Sequence, residues 1–82
     1  MAINYGLLRN LTAREIISAL LRDGFIYDRG DGAHQIYYRR DGRRVTVMFH
    51  GSNSTFKRKT LKSMIDQTQW TEADLKRLKL IA

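Results

Sequence analysis

The sequence predicts an α+β domain in which a helix is followed by three strands, a second helix and a short third helix. Three observations predict it. Apolar residues recur at helical spacing after residue 12, alternate with polar residues between residues 25 and 49, and return to helical spacing after residue 58. Because tight turns separate consecutive strands in the middle region, we expect a three-stranded antiparallel sheet with the helices on one of its faces.

The first helix is predicted to begin after Thr12 and to end at Gly24. Thr12 can accept a hydrogen bond from the Glu15 amide while the Glu15 carboxylate accepts one from the Thr12 amide, which is a capping box. Leu11 and Ile16 occupy the two positions of a hydrophobic staple, and Gly24 tolerates the left-handed backbone that often ends a helix. The predicted buried stripe comprises Ala13, Ile16, Ile17, Leu20 and Leu21.

The three strands are predicted at residues 25–29, 33–40 and 43–49. Gly30-Asp31-Gly32 separates the first two strands. Asp41-Gly42 separates the last two as a type I′ turn, because both residues tolerate positive φ. The alternation in the second strand places His34, Ile36 and Tyr38 on one face and Gln35, Tyr37 and Arg39 on the other. The third strand has Val45, Val47 and Phe49 on one face.

Two further helices follow a loop at residues 51–54. The second helix is predicted over residues 58–68, with Leu61, Met64 and Ile65 buried. Residues 71–74 open a short third helix that contains Leu75 and Leu78, and Trp70 is expected to pack in the corner between the two helices. The whole chain, residues 1–82, is therefore expected to form a single domain.

The charge balance points to a polyanionic partner. Fifteen Lys and Arg residues against eight Asp and Glu residues give a formal charge of +7, and nucleic acid is the usual partner of so basic a domain. A membrane surface is the rival, but no long amphipathic helix with one basic face is visible, so no membrane partner is expected. The absence of cysteine excludes disulfides, zinc–thiolate sites and thiol nucleophiles. Residues 1–10 lack the pattern of a secretory signal, which favours a cytoplasmic protein.

The basic residues form two clusters. The first lies at the start of the second helix, whose free amides and positive dipole end suit a phosphate, and it comprises Lys57, Arg58, Lys59 and Lys62. We favour nucleic-acid binding for this cluster. The second flanks the predicted hairpin turn and comprises Arg39, Arg40, Arg43 and Arg44. For this cluster a solvated surface and an RNA-binding role of Arg39 and Arg43 are equally good interpretations. Lys76, Arg77 and Lys79 are interpreted as solubility charges.

Several segments in order resemble the HicA family of toxin–antitoxin ribonucleases. They are Gly-Ala-His-Gln-Ile-Tyr at residues 32–37, Val-Thr-Val-Met-Phe-His-Gly at 45–51 and Lys-Thr-Leu-Lys-Ser-Met-Ile at 59–65. The resemblance spans roughly residues 12–75. It implies the fold of a double-stranded-RNA-binding domain, a toxin that cleaves mRNA as an endoribonuclease, and a HicB-type antitoxin partner. The chain has Ala33 where the family commonly has serine, and Gln35 where many members have a second histidine or similar group.

His34 is the candidate catalytic residue. It follows a glycine-rich turn at the start of a strand, and an imidazole can accept or donate a proton near neutral pH. RNA supplies its own nucleophile, the 2′-hydroxyl, so a ribonuclease needs only proton transfer and stabilisation of the phosphate. Taken alone, such a histidine is more often an ordinary surface residue. The resemblance assigns it the catalytic role, because the catalytic histidine of HicA toxins occupies this position of the motif.

The remaining polar residues do not predict a metal site. His50 ends the third strand and is interpreted as solvated or structural, with an auxiliary role near RNA as the alternative. Asp23, Asp28, Asp31 and Asp41 lie at predicted helix ends and turns, where they have local explanations. Neither a metal nor a cofactor is expected. A non-catalytic RNA-binding module is the second candidate function and differs from the ribonuclease at His34. A small DNA-binding protein is the third, without a recognition helix to support it.

Overall fold

The computed structural model describes residues 3, 5–8 and 10–81 and confirms the α+β class. A 3-10 turn at Tyr5–Leu8, which the sequence analysis did not predict, precedes the predicted elements. In chain order these are α1 (Ala13–Arg22), β1 (Ile26–Asp31), β2 (His34–Tyr38), β3 (Arg44–Met48), α2 (Arg58–Thr68) and α3 (Glu72–Arg77). The antiparallel sheet has the order β1-β2-β3. This is the arrangement of a double-stranded-RNA-binding domain with a further helix. Part of residues 1–10, where no secretory signal was predicted, lies outside the described residues.

The capping signals of α1 are confirmed. The Thr12 amide donates to the Glu15 carboxylate at 3.0 Å, and the Glu15 amide donates to the Thr12 hydroxyl at 3.3 Å. Gly24 has a φ of +93° directly after the helix. The predicted stripe is right only in part, because α1 buries Ala19 while Leu21 remains 52% exposed. The helix is therefore turned slightly, and Leu21 lies at the edge of its buried face.

The strand boundaries differ from the prediction at the turns. The residues predicted to break the first strand, 30–31, belong to β1, and the turn is Gly32-Ala33. The hairpin between β2 and β3 does not have the predicted two-residue type I′ turn. The Gly42 amide donates to the Arg39 carbonyl at 3.0 Å and the Arg39 amide donates to the Arg43 carbonyl at 2.9 Å. Gly42 has positive φ (+101°) and Asp41 does not. The loop therefore comprises residues 40–42, and three-residue loops that end on a residue with positive φ are among the next most common hairpin connections.

The register divides the sheet into two faces. Tyr37 is opposite Val45 and Gln35 is opposite Val47, and the two valines and Tyr37 are buried in the core. On the other face His34 is opposite Met48 and Ile36 is opposite Thr46. The predicted alternation of β2 is thus confirmed, and the face that contains His34 is the one that faces away from the core.

Helix α2 lies along β3, the edge strand. The Gln67 side-chain oxygen accepts a hydrogen bond from the Thr46 amide at 2.9 Å, so a helix side chain satisfies a backbone group on the free edge of the sheet. Leu61, Met64 and Ile65 of α2 are buried as predicted. This placement brings the exposed residues of α2 next to the outer face of β3. Among the described residues, no helix is long and apolar enough to span a bilayer.

Trp70 packs in the corner between α2 and α3, as predicted. Its ring meets Phe25 edge to face with centroids 6.3 Å apart, and its indole N–H donates to the Asp23 carboxylate at 2.7 Å. Arg77 and Arg39 contact the same carboxylate at 2.7 and 3.3 Å. The interpretation of Arg77 as a solubility charge is therefore wrong, because its guanidinium joins α3 to a buried group. The explanation of Asp23 by its position at a helix end is also incomplete, because its carboxylate contacts residues from distant parts of the chain.

Candidate functional site

His34 is the first residue of β2 and is exposed on the outer face of the sheet. The turn before it is tight because Gly32 adopts a φ of +59°, a conformation that residues with a Cβ rarely adopt. In the register, His34 is flanked by Asp31 of β1 and Met48 of β3. The turn and the register together place the imidazole at the end of the sheet, where solvent and a large substrate can reach it.

A cleft of about 370 Å³ lies between this part of the sheet and α2. It brings His34 together with one cation of the predicted phosphate-binding cluster, Lys59. The remaining lining residues are Thr46, Met48, Thr60, Ser63, Met64 and Gln67. A proton-transfer group, a cation and three hydroxyl groups therefore border the same cleft, although they come from β2, β3 and α2.

Two further clefts adjoin it along α2. One, of about 300 Å³, shares Met48 and Thr60 with the His34 cleft and contains His50 and Lys57. The other, of about 470 Å³, shares Lys59, Ser63 and Gln67 with it and contains Lys62 and Asp66. We call the surface formed by these three clefts the basic face. The predicted residues His34, His50, Lys57, Lys59 and Lys62 all border it.

Within the part of the chain that the structure describes, the cations at the start of α2 are free of ion pairs. Lys57, Arg58, Lys59 and Lys62 are exposed, and within the described parts of the chain no carboxylate lies within 4.0 Å of their charged groups. The helix also begins without a side-chain cap, since Lys57 at the N-cap makes no capping hydrogen bond. Both α1 and α3, by contrast, begin with a capping box. The start of α2 is therefore the helix end best suited to an anion.

The hairpin arginines have internal partners instead. Arg39 is paired with Asp23, and Arg43 is paired with Asp41 at 3.0 Å and donates to the Thr68 carbonyl at 3.1 Å. Arg44 is paired with Asp28 at 3.2 Å. These contacts tie the hairpin to α1, α2 and β1. RNA binding by Arg39 and Arg43 stays a prediction, and a structural role now accounts for both side chains.

Several residues of the basic face were not singled out from the sequence. The place of Met48 beside His34 follows from strand parity once the hairpin register is known. Phe56, Thr60, Ser63 and Gln67 border the clefts only because α2 packs along the edge of β3, which no local pattern indicates. Among the residues that the structure describes, no three His, Asp or Glu side chains converge as a metal-binding group.

The comparisons with known proteins agree with the resemblance found in the sequence. The family model described as HicA toxin of bacterial toxin–antitoxin matches residues 13–70. The match covers well over half of the chain, from the first residue of α1 through the sheet and α2 to Trp70. Among curated proteins, no match to this chain was found.

Proposed function

The chain belongs to the HicA toxin family of bacterial toxin–antitoxin systems, and from this premise we propose that it is an endoribonuclease that cleaves mRNA to inhibit translation and growth. The observation that supports the proposal best is the shared cleft of His34 and Lys59 on the exposed face of the sheet. Nothing in the core requires an imidazole at that position, because His34 faces away from it.

In the proposed reaction the substrate's 2′-hydroxyl attacks the adjacent phosphorus. His34 removes the hydroxyl proton as general base while the leaving 5′-oxygen takes a proton from solvent water, or His34 protonates the 5′-oxygen as general acid while water accepts the hydroxyl proton. Lys59, across the same cleft, stabilises the negative charge that develops on the phosphorane oxygens. The products are a 2′,3′-cyclic phosphate and a 5′-hydroxyl. The nucleophile comes from the RNA and the charge compensation from lysine, so neither a metal nor a cofactor is required.

Binding is assigned to the cations along α2. Lys59 and Lys62 are three residues apart and therefore lie on the same side of the helix, and Lys57 lies beside its uncapped first turn. Successive phosphates of one strand can follow these groups along the basic face. Since no carboxylate among the described residues neutralises any of the three, each can replace a counterion on the RNA.

A non-catalytic RNA-binding module is the second candidate. One observation favours it: within the described structure no side chain or carbonyl accepts a hydrogen bond from the His34 imidazole. A catalytic histidine is commonly oriented by such a partner. The basic face would bind RNA equally well without His34, so the two candidates differ in chemistry and not in affinity.

The proposed partners are mRNA and an antitoxin of the HicB type, and the proposed location is the cytoplasm. An antitoxin that occludes the basic face should be acidic, because charge complementarity with the unpaired lysines accelerates association. Such a partner would block RNA binding and cleavage together.

Substitution of His34 separates the two candidates. His34→Ala should lower the cleavage rate of purified protein by about a hundredfold or more, which is typical for the loss of a positioned proton-transfer group. RNA affinity should change little, because phosphate contacts dominate it. Induced expression should arrest growth and degrade RNA with the parent and with Lys79→Gln, a control on an exposed cation outside the basic face. If folded His34→Ala protein cuts RNA as fast as the parent, the ribonuclease assignment to His34 is wrong.

A further inference from the structure

The cleft that contains His50 has the composition of a base-binding site. It is lined by Met48, His50, Thr55, Phe56, Lys57 and Thr60 and measures about 300 Å³. This volume is at the lower limit for small-molecule sites, which suits one planar base and not a base pair. The cleft offers an aromatic ring, an imidazole and two hydroxyl groups, with a cation at its border.

The wall of this cleft is held in place before any ligand binds. The Phe56 side chain is half-buried against the hydrophobic core. Thr55, the residue before it, pairs with Thr12 in an isolated antiparallel bridge. The Ala13 amide donates to the Ser54 carbonyl at 2.9 Å, which ties the same loop to the start of α1. A fixed wall reduces the conformational entropy lost on binding.

We propose that this cleft receives the base of an unpaired nucleotide that neighbours the phosphodiester at His34. The inference rests on the proposed function and adds the class of substrate: RNA that is single-stranded or looped at the cleaved position. Bases that are not paired can leave the strand and stack on aromatic and imidazole rings, whereas paired bases in an A-form helix present only their edges. The shared residues Met48 and Thr60 put the two clefts side by side, as consecutive groups of one strand require.

This placement also assigns a role to His50. His50 borders the neighbouring cleft and not the cleft that contains His34. Its imidazole is therefore positioned to contact the base, while proton transfer at the phosphate belongs to His34. Lys57, in the same cleft as His50, holds the phosphate of the nucleotide whose base is bound. His50 and Phe56 then determine which RNA structures can be cut.

The test uses RNA that contains the fluorescent base 2-aminopurine at successive positions, bound to the cleavage-deficient His34→Ala protein. At saturating protein, the fluorescence of 2-aminopurine at one position should fall about twofold, because stacking on an aromatic ring quenches this base. The position should adjoin the cut site mapped with the parent protein. Adding His50→Ala, or Phe56→Leu to retain the apolar contact with the core, should remove most of the quenching and weaken binding about fivefold. Lys62→Gln is the matched control, which should lower affinity and leave the signal at saturation unchanged.

The outcomes separate this inference from the proposed function. If RNA binds and is cut by the parent but the quenching survives both cleft substitutions, the base subsite is wrong and the ribonuclease remains. If a continuous duplex is bound and cut as well as a single strand, the inference is also overturned. If neither the parent nor His34→Ala binds RNA at low salt, the proposed function itself fails.

Discussion

The salt dependence of RNA binding offers a quantitative test of the basic face. Each cation that neutralises a phosphate on single-stranded RNA contributes about −0.7 to the slope of log affinity against log salt concentration. Lys57, Lys59 and Lys62 border the basic face, and each lies free of ion pairs within the described part of the chain. Three such contacts predict a slope of about −2, and thus an affinity loss of about 20-fold between 50 and 200 mM salt.

The perturbation is Lys59→Gln combined with Lys62→Gln, since glutamine keeps the aliphatic stem and the helix propensity while it removes the charge. The slope should fall to about −0.7, so that the same change in salt costs only about threefold in affinity. Fluorescence anisotropy with a labelled oligoribonucleotide measures the affinity at each salt concentration. All proteins carry His34→Ala so that the RNA stays intact. The control is Lys76→Gln with Lys79→Gln, which removes the same net charge from two exposed positions away from the basic face. Lys76 lies in α3, where it pairs with Glu72 at 3.5 Å, and Lys79 follows the helix.

Two results would refute the assignment. An unchanged slope in the Lys59→Gln, Lys62→Gln protein would show that α2 does not contact phosphates. An equal reduction by the α3 pair would show that net charge, and not the geometry of the basic face, governs binding. A third comparison with Arg43→Gln tests the hairpin, whose guanidinium is paired with Asp41 and should contribute little to the slope.

Two further predictions concern the core and the chemistry. The Asp23 side chain is 3% exposed and accepts hydrogen bonds from Trp70 and Arg77. Asp23→Asn should lower the free energy of unfolding by about 2 kcal/mol, because hydrogen bonds to a charged group are lost while the arginines left without their partner are partly exposed. Urea denaturation followed by the fluorescence of Trp70, the single tryptophan, measures this change. Burial alone would raise the pKa of Asp23, but the hydrogen bonds from Trp70 and Arg77 and the charges of Arg39 and Arg77 outweigh it, and the pKa lies below its usual 3.8. The lowered pKa means that ionised Asp23 stabilises the folded protein at pH values above the unfolded pKa, and this contribution should be lost as pH falls through 3.8 towards the folded pKa. The same acid dependence of unfolding in the parent and in the Asp23→Asn protein would contradict this prediction. The chemistry makes a separate prediction: a single 2′-deoxy substitution at the cut site should abolish cleavage, whereas a chelator should leave the cleavage rate unchanged. Mass spectrometry of the products should detect a 2′,3′-cyclic phosphate. Cleavage of the deoxy substrate would exclude attack by the 2′-hydroxyl.

Local patterns were enough to predict the parts of the fold that depend on neighbouring residues. The capping box of Thr12 and Glu15 involves groups three residues apart, and strand alternation placed His34 on the correct side of β2. The hairpin loop was mispredicted because Asp-Gly is compatible with two loop lengths. The contact of the Arg39 carbonyl with the Gly42 amide selects the longer one. The choice depends on how β2 and β3 align, which a dipeptide does not determine.

Local sequence patterns did not predict the contacts between distant segments. Asp23 and Arg77 are 54 positions apart, and their pairing requires that α3 return to the end of α1. The hydrogen bond between Thr46 and Gln67 likewise depends on α2 packing along β3. The candidate site has the same origin. His34 and the lysines near the start of α2 were each identified, but the packing of α2 against β3 is what places Lys59 in the same cleft as His34.

Four arginines and three lysines of this chain have different surroundings. Arginines 39, 43, 44 and 77 form ion pairs that hold the hairpin and α3 in place, and the planar guanidinium suits such fixed contacts. Among the described residues, the lysines at 57, 59 and 62 have no ion-pair partner; they lie at the start of α2 and along it, where a compact, mobile ammonium can follow a phosphate in more than one position. The ion pairs of these four arginines satisfy charges inside the fold, whereas the three lysines leave their charges available on the basic face. The proposed role of that surface is to attract RNA from solution, and the exposed His34 lies within it.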